Sequence, residues 1–242
     1  MTKKMLVVAA HMGDFIWRCG GSIAKYSELG DEVHIVVLSY GSRGESKDYW
    51  EKGGGTIEEC NRVRREEGEK AAQILGATSI TFCEYEDYPM SIDKEGIENL
   101  ATIFRKVRPD FILTHDKEDD VFNPDHNLTR QSVMTAYQTA SGAGYIDGYE
   151  VSPRQTPIFG FEPHNTEICN FKPKVYIDIS DVMDKKIEAM RVCQSQKGMC
   201  DQYIRKAEIR ASQCATRGGK SCAYSEAFSN FTPISEFGYF VW

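Results

Sequence analysis

Six apolar residues in a row, Met5-Leu6-Val7-Val8-Ala9-Ala10, run straight into His11-Met12-Gly13-Asp14. No other stretch restricts the possible folds as much. An uninterrupted apolar run is expected of a strand buried on both faces, and such strands belong to parallel sheets covered by helices. If residues 5–10 are the first strand, His11 and Asp14 stand at its carboxyl end, where open α/β sheets bind ligands. Histidine and aspartate are ordinary zinc ligands, and a chain turning sharply off a strand can aim both at one point. One His-x-x-Asp pair is a common accident, so it needs a third ligand and a matching fold.

The rest of the chain alternates strand and helix. Helical spacing of apolar residues over 16–29 stops at Gly30, and residues 33–38 form a second strand. Residues 40–55 are polar and glycine-rich, which predicts a long binding loop or lid. A helix follows over 56–75, with Thr56 and Glu59 placed for a capping box. Strand 79–83, helix 94–107 (ended by Pro109), strand 110–114, helix 125–140, and strands 157–161 and 175–179 come next. A helix over 181–194 is expected to begin at Ser180 as N-cap. Beyond 197 the chain is polar, with a helical patch at 202–212. Neither repeats nor a break in composition divides the chain. The expectation is an α/β, Rossmann-like three-layer sandwich with a mostly parallel sheet, one domain over 1–242, and 197–242 as a C-terminal extension.

Composition sets the surroundings. A formal charge of −7 argues against general nucleic-acid binding. The apolar run at 5–10 is too short for a signal-peptide core or a membrane span, so a cytoplasmic protein is expected, without membrane contact. Eight cysteines then sit in a reducing compartment, and none forms Cys-x-x-Cys, which excludes the usual zinc-ribbon and thioredoxin patterns. A dinucleotide site would need Gly-x-Gly-x-x-Gly after the first strand, and His11 to Asp14 stand there instead.

The third ligand candidate is His126, in Asn123-Pro124-Asp125-His126. An ordinary helix start accounts for the proline and the aspartate, but leaves the histidine unexplained. Two histidines and one aspartate leave a coordination position open, the catalytic form of a zinc site.

With these residues in view, the sequence resembles the LmbE-like (PIG-L) zinc-dependent superfamily, mostly amide deacetylases. The superfamily signature is Ala-His-Pro-Asp-Asp-Glu, then Gly-Gly, and later His-Pro-Asp-His. Here the matches are Ala10-His11-Met12-Gly13-Asp14-Phe15 with Gly20-Gly21, and Asn123-Pro124-Asp125-His126. The likeness extends over helix 62–76, Pro109-Asp110, Asp178-Ile179-Ser180, Lys185-Lys186 and Ser195-Gln196. It implies His11, Asp14 and His126 as the metal ligands. The signature's general-base aspartate is Gly13 here, and its first later histidine is Asn123. A deacetylase must take a proton from water and give one to the leaving amine; glycine can do neither, and asparagine cannot cycle as an acid.

A narrower branch fits the residues better. His11-x-x-Asp14-Phe15-x-Trp17-Arg18-x-Gly20-Gly21, with Ser39-Tyr40-Gly41-x-Arg43-Gly44-Glu45-Ser46, is similar to the hydratases of 4-carboxy-2-hydroxymuconate (4-oxalomesaconate) in gallate and protocatechuate degradation. That resemblance implies zinc, Glu45 as acid/base, and a polycarboxylate substrate in a homo-oligomer, dimer or hexamer. Arg43, Arg18 and Asn123 are the candidate substrate contacts, with Arg154 a further cation. His164, in a loop after the strand at 157–161, is the candidate for substrate contact or proton transfer. His34 reads as structural. His115 ends a strand at the right edge, but the acids of 116–120 read as a solvated loop.

Overall fold

The computed structural model describes residues 2–145 and 147–231; the aromatic end Phe237 to Trp242, which the sequence allows as a docking tail or as a segment packed on its own domain, lies outside them. Strand β1 (Lys4–His11) leads into helix α1 (Asp14–Glu28), then β2 (Glu32–Ser39), a short α2 (Lys47–Glu51), α3 (Ile57–Ile74) and β3 (Ser79–Tyr85). The chain continues through α4 (Lys94–Val107), β4 (Phe111–His115), α5 (Pro124–Ala140), β5 (Ile158–Phe161), β6 (Val175–Asp178) and α6 (Met183–Val192). A 3-10 segment (Gln194–Met199), α7 (Cys200–Thr216) and β7 (Ser225–Asn230) complete it.

The strands form one sheet in the order β3-β2-β1-β4-β5-β7-β6. All neighbours pair in parallel except β7, which runs antiparallel to both β5 and β6. The apolar run of β1 explains the layering. Met5, Val7 and Ala9 enter one core, and Leu6, Val8 and Ala10 enter the other. Side chains alternate across a strand, so a run with no polar member must be covered on both faces. Helices α1, α6 and α7 lie against the first core, and α4 and α5 against the second. The α/β, mostly parallel expectation holds.

Strand order reverses between β1 and β4, opening a crevice at their carboxyl ends. His11 is the last residue of β1 and His115 the last of β4.

Local signals were mostly followed. Thr56 caps α3 by accepting from Glu59 N, while Glu59 accepts from Thr56 N. Gly30 and Gly76, both at positive φ, follow α1 and α3. Four features differ from the sequence reading. The loop 40–55 contains α2. Helix α6 starts at Met183, and Ser180 caps nothing there: its hydroxyl donates to Asp178 and accepts from Ala223 N and Tyr224 N. Asp116 and Asp120, expected in a solvated loop, are buried. The polar tail beyond 197 supplies strand β7, placed inside the sheet.

One of these reaches back to the start of the chain. Helix α1 is broken at Cys19, whose φ of −142° is not helical. The break exposes backbone N–H groups that need acceptors. Glu226 of β7 accepts from Gly21 N (2.8 Å), Ser22 N (2.8 Å) and Ser22 Oγ (2.6 Å). Lys186 Nζ neutralises the same carboxylate at 2.6 Å. At Gly21 a Cβ would lie within 2.6–2.9 Å of the Ile179 side chain, which accounts for the glycine.

Candidate metal centre and active site

The turn from β1 into α1 brings His11 and Asp14 together because the His11 N–H donates to Asp14 Oδ2 at 2.9 Å. His126 arrives from the first turn of α5. One ligand atom from each of His11, Asp14 and His126 lies within 4.8 Å of the other two, and all three residues are buried. His11 Nδ1 is 3.5 Å from Asp14 Oδ2, and His126 Nε2 is 3.5 Å from Asp14 Oδ1.

Two further observations fit a cation at this point. Neither His11 Nδ1 nor His126 Nε2 has a hydrogen-bond partner, although both are buried. Leaving a buried polar atom unsatisfied costs about 1–3 kcal/mol, which a metal ion would recover. Each ring is also held from behind by a carboxylate: His11 Nε2 by Asp125 Oδ2 at 3.2 Å, and His126 Nδ1 by Asp120 Oδ2 at 2.9 Å. A metal-binding histidine usually gives its other N–H to such an acceptor, which fixes its tautomer and orientation. These residues therefore fit a divalent metal ion.

The electrostatics agree. Burial alone would discharge His11, but Asp125, Asp14 and Glu45 outweigh it and raise its pKa to about 10. Asp14 is likewise penalised by burial, yet His126, His115, Arg18 and His11 hold its carboxyl well below the usual range. Asp120 is drawn to about 2, burial being overcome by His126 and Arg18. The pocket is thus a ring of carboxylates that favours positive charge at its centre.

His115 is the near miss. Its ring stacks on that of His126 at 4.1 Å, and its Nε2 accepts from Ala10 N at 3.0 Å. Burial and the His126 imidazole lower its pKa to about 3, so it is neutral, and its Nε2 is occupied by a backbone donor. It buttresses His126.

Glu45 stands beside the ligands, with Oε1 3.9 Å from His11 Nδ1. Three donors hold it: Tyr88 OH (2.9 Å) and Asn123 Nδ2 (3.1 Å) on Oε1, and Gln196 Nε2 (2.7 Å) on Oε2. Burial opposes its charge, but His11, His126 and the Tyr88 hydroxyl bring its pKa below the usual value. Asn123 occupies the N-cap position of α5 without capping it; its amide serves Glu45 and Tyr88 OH instead.

The candidate cations separate. Arg18 is buried, with Nε on Asp14 Oδ1 and Nη1 on the Glu162 carbonyl, both at 2.9 Å, and Nη2 without a partner. Arg43 instead points to the surface, where Nη2 meets the exposed Glu86 at 2.9 Å. Arg154 is exposed and donates to the Ser141 carbonyl. His34 bonds Ser79 and Glu32 on the surface, as a structural residue would.

His164 Nδ1 is 2.7 Å from the Tyr203 hydroxyl of α7. Burial and the Arg18 charge push the His164 pKa well down, so the ring is neutral. Burial also raises the pKa of Tyr203, so its hydroxyl stays protonated and shares one hydrogen bond with His164 Nδ1. Its loop is held by Lys206 Nζ, which donates to the carbonyls of Pro163 (2.8 Å) and His164 (3.2 Å).

Comparison with known proteins bears on the same residues. The PIG-L family model, described as GlcNAc-PI de-N-acetylase, matches residues 6–137, more than half of the chain. The chain belongs to the PIG-L family. Within that family it is 38% identical over 235 residues to a 4-oxalmesaconate hydratase of Pseudomonas putida, covering 96% of this chain and 90% of the relative. It is 30% identical to a diacetylchitobiose deacetylase of Thermococcus kodakarensis, over 80% of this chain and 70% of that one. Among solved structures, GalB, the 4-carboxy-2-hydroxymuconate hydratase of P. putida, superposes with a TM-score of 0.92, covering 97% of this chain and 98% of GalB at 38% identity. The PIG-L relatives matched over most of the chain are enzymes. No helix among the described residues is long and apolar enough to cross a membrane.

The sequence reading missed Asp120, Tyr88, Gln196 and Tyr203 as parts of this site. Only Gln196 left a trace, in the Ser195-Gln196 pair that contributed to the family likeness.

Proposed function

We propose that this PIG-L protein is a zinc-dependent hydro-lyase that adds water across a carbon–carbon double bond of an unsaturated polycarboxylate, with 4-carboxy-2-hydroxymuconate as substrate. The observation that carries the reading is the position of Glu45. Its Oε1 lies 3.9 Å from His11 Nδ1, and its carboxylate is held by three donors. The hydratase relatives, similar over nearly the whole chain, supply the substrate class.

His11, Asp14 and His126 would hold the zinc ion. When bound, such an ion supplies Lewis acidity and makes water a competent nucleophile near neutral pH. Glu45 takes a proton from the attacking water and delivers it to the neighbouring carbon. The oxygen of water bonds to one alkene carbon, the π pair moves into the conjugated system, and the second carbon takes the proton. The net change is the addition of one H2O, with no leaving group. Arg18, with its free Nη2, is suited to a substrate carboxylate, since its planar guanidinium matches carboxylate geometry. The neutral His164 is a further hydrogen-bonding group for the bound acid.

Amide hydrolysis has one observation in its favour, the deacetylase relative at 30% identity. It ranks second because Gly13 offers no base and Asn123 cannot donate a proton to a leaving amine and recover it.

The test is direct. Purified protein is expected to remove the ultraviolet absorbance of 4-carboxy-2-hydroxymuconate, to stop after chelation, and to recover with zinc. Full zinc occupancy with unchanged absorbance, or acetate release from an N-acetylglucosaminyl conjugate, would overturn the reading.

A further inference from the structure

Gly13 and Gln196 are 183 positions apart, yet one fills the space the other leaves. A Cβ on Gly13 would lie 2.5 Å from Trp17 Nε1 and 2.8 Å from Gln196 Oε1. The absence of a side chain at 13 is what admits both groups. Trp17 Nε1 donates to Gln196 Oε1 at 3.3 Å, and Gln196 Nε2 donates to Glu45 Oε2 at 2.7 Å. The amide has one orientation available. The indole can only donate and the carboxylate can only accept, so the carbonyl must face Trp17 and the NH2 must face Glu45.

The backbone behind this amide is also fixed. Ser195 N donates to Glu67 Oε1 at 2.9 Å, the Ser195 hydroxyl donates to Glu67 Oε2, and Arg64 Nη1 donates to Ser195 Oγ at 3.0 Å. Arg64 Nε donates to the Tyr40 carbonyl at 2.8 Å, just before the loop that carries Glu45. Helix α3 thus ties the turn bearing Gln196 to the loop bearing Glu45. The Trp17 ring is pinned in turn by stacking on Tyr203.

We infer that Gln196, anchored by Trp17 over the bare Gly13, is a positioning residue that sets the direction of the Glu45 carboxylate. Tyr88 and Asn123 both bind Oε1. Gln196 is the donor to Oε2, so it determines the rotation of the carboxylate plane. The inference rests on the proposed role of Glu45. A carboxylate that must both accept a proton from water and return it to carbon loses efficiency when its plane swings freely.

Glu45→Gln, Gln196→Ala and the double variant, each assayed with 4-carboxy-2-hydroxymuconate at full zinc loading, test it. Gln196→Ala is expected to lower kcat by about ten- to a hundredfold, the scale of one lost hydrogen bond to a charged group, with KM, metal content and Tm unchanged. The double variant is expected to be no slower than Glu45→Gln alone, because the two residues act as one unit. Trp17→Phe, which keeps the ring and removes the N–H, is expected to reproduce part of the loss. It carries the same cycle if Gln196→Ala does not fold. Wild-type kcat in Gln196→Ala beside an inactive Glu45→Gln overturns this inference alone. So does a Gln196→Ala defect that appears as lost metal or lowered Tm. Wild-type turnover in Glu45→Gln overturns the proposed function, and the positioning role with it.

Discussion

Asp120 Oδ2 lies 2.9 Å from His126 Nδ1, behind a ring whose Nε2 faces Asp14 with no other partner. Asp120 therefore decides which nitrogen of His126 is free to bind a metal. Asp120→Ala is expected to weaken metal binding by about ten- to a hundredfold, the usual effect of losing a carboxylate behind a ligating histidine. Competition with a metal indicator measures it. Unchanged affinity would mean that His126 is oriented by its stacking on His115.

Arg18 divides its fork between Asp14, the Glu162 carbonyl and an unpartnered Nη2. Arg18→Lys keeps the charge and loses the fork. It is expected to raise KM for a polycarboxylate about tenfold or more. Metal content is the control, because Arg18 also supports Asp14. A rise in KM with full occupancy assigns Nη2 to the substrate; metal loss without a change in KM assigns Arg18 to Asp14 alone.

Gly21 faces Ile179 with no room for a methyl group. Isoleucine is branched at Cβ and cannot easily rotate away. Gly21→Ala is expected to cost about 1–3 kcal/mol in urea unfolding, as overpacking does. A cost near zero would show that α1 can slide along its bend.

Glu162 gives a pH dependence. Burial works against its charge, but Arg210 and Lys206, with the Thr166 hydroxyl, bring its pKa below the unfolded value of 4.5. A folded-state pKa lower than the unfolded one means that unfolding takes up a proton, so stability is present above about pH 4.5 and is lost as pH falls toward the folded pKa. Glu162→Gln is expected to flatten that part of the acid limb relative to the parent, measured by urea unfolding between pH 7 and 3. Parallel curves would show that Glu162 carries no share of it.

What the sequence disclosed follows from the range of the forces involved. The candidate ligand set was legible because His11 and Asp14 are neighbours at a strand end, and His126 opens a helix. Both are local patterns. Asp120 was not, since an acid among Asp116 to Asp120 looks solvated until β7 and the loop near Cys169 cover it; the Ser229 hydroxyl meets Asp116, and Cys169 Sγ lies 3.7 Å from Asp120. The donors to Glu45 at 88, 123 and 196 share no period with it. Strand β7, Ser-Glu-Ala-Phe-Ser-Asn, escaped for a related reason. Its buried polar residues answer groups elsewhere, Glu226 to Lys186 and α1, Ser229 to Asp116, so no apolar pattern marks it. Ser180 looked like a cap, and its hydroxyl is spent on the turn before β7.

The bond between Glu226 and the bend of α1 has a temporal side. The bend at Gly21 leaves the ribosome 205 residues ahead of the carboxylate that caps it. Until residues 225–230 emerge, Gly21 N and Ser22 N lack their acceptor and Lys186 lacks its counter-charge. The nascent chain would therefore carry the candidate metal ligands, until that strand emerges, without the strut that steadies the helix beneath them.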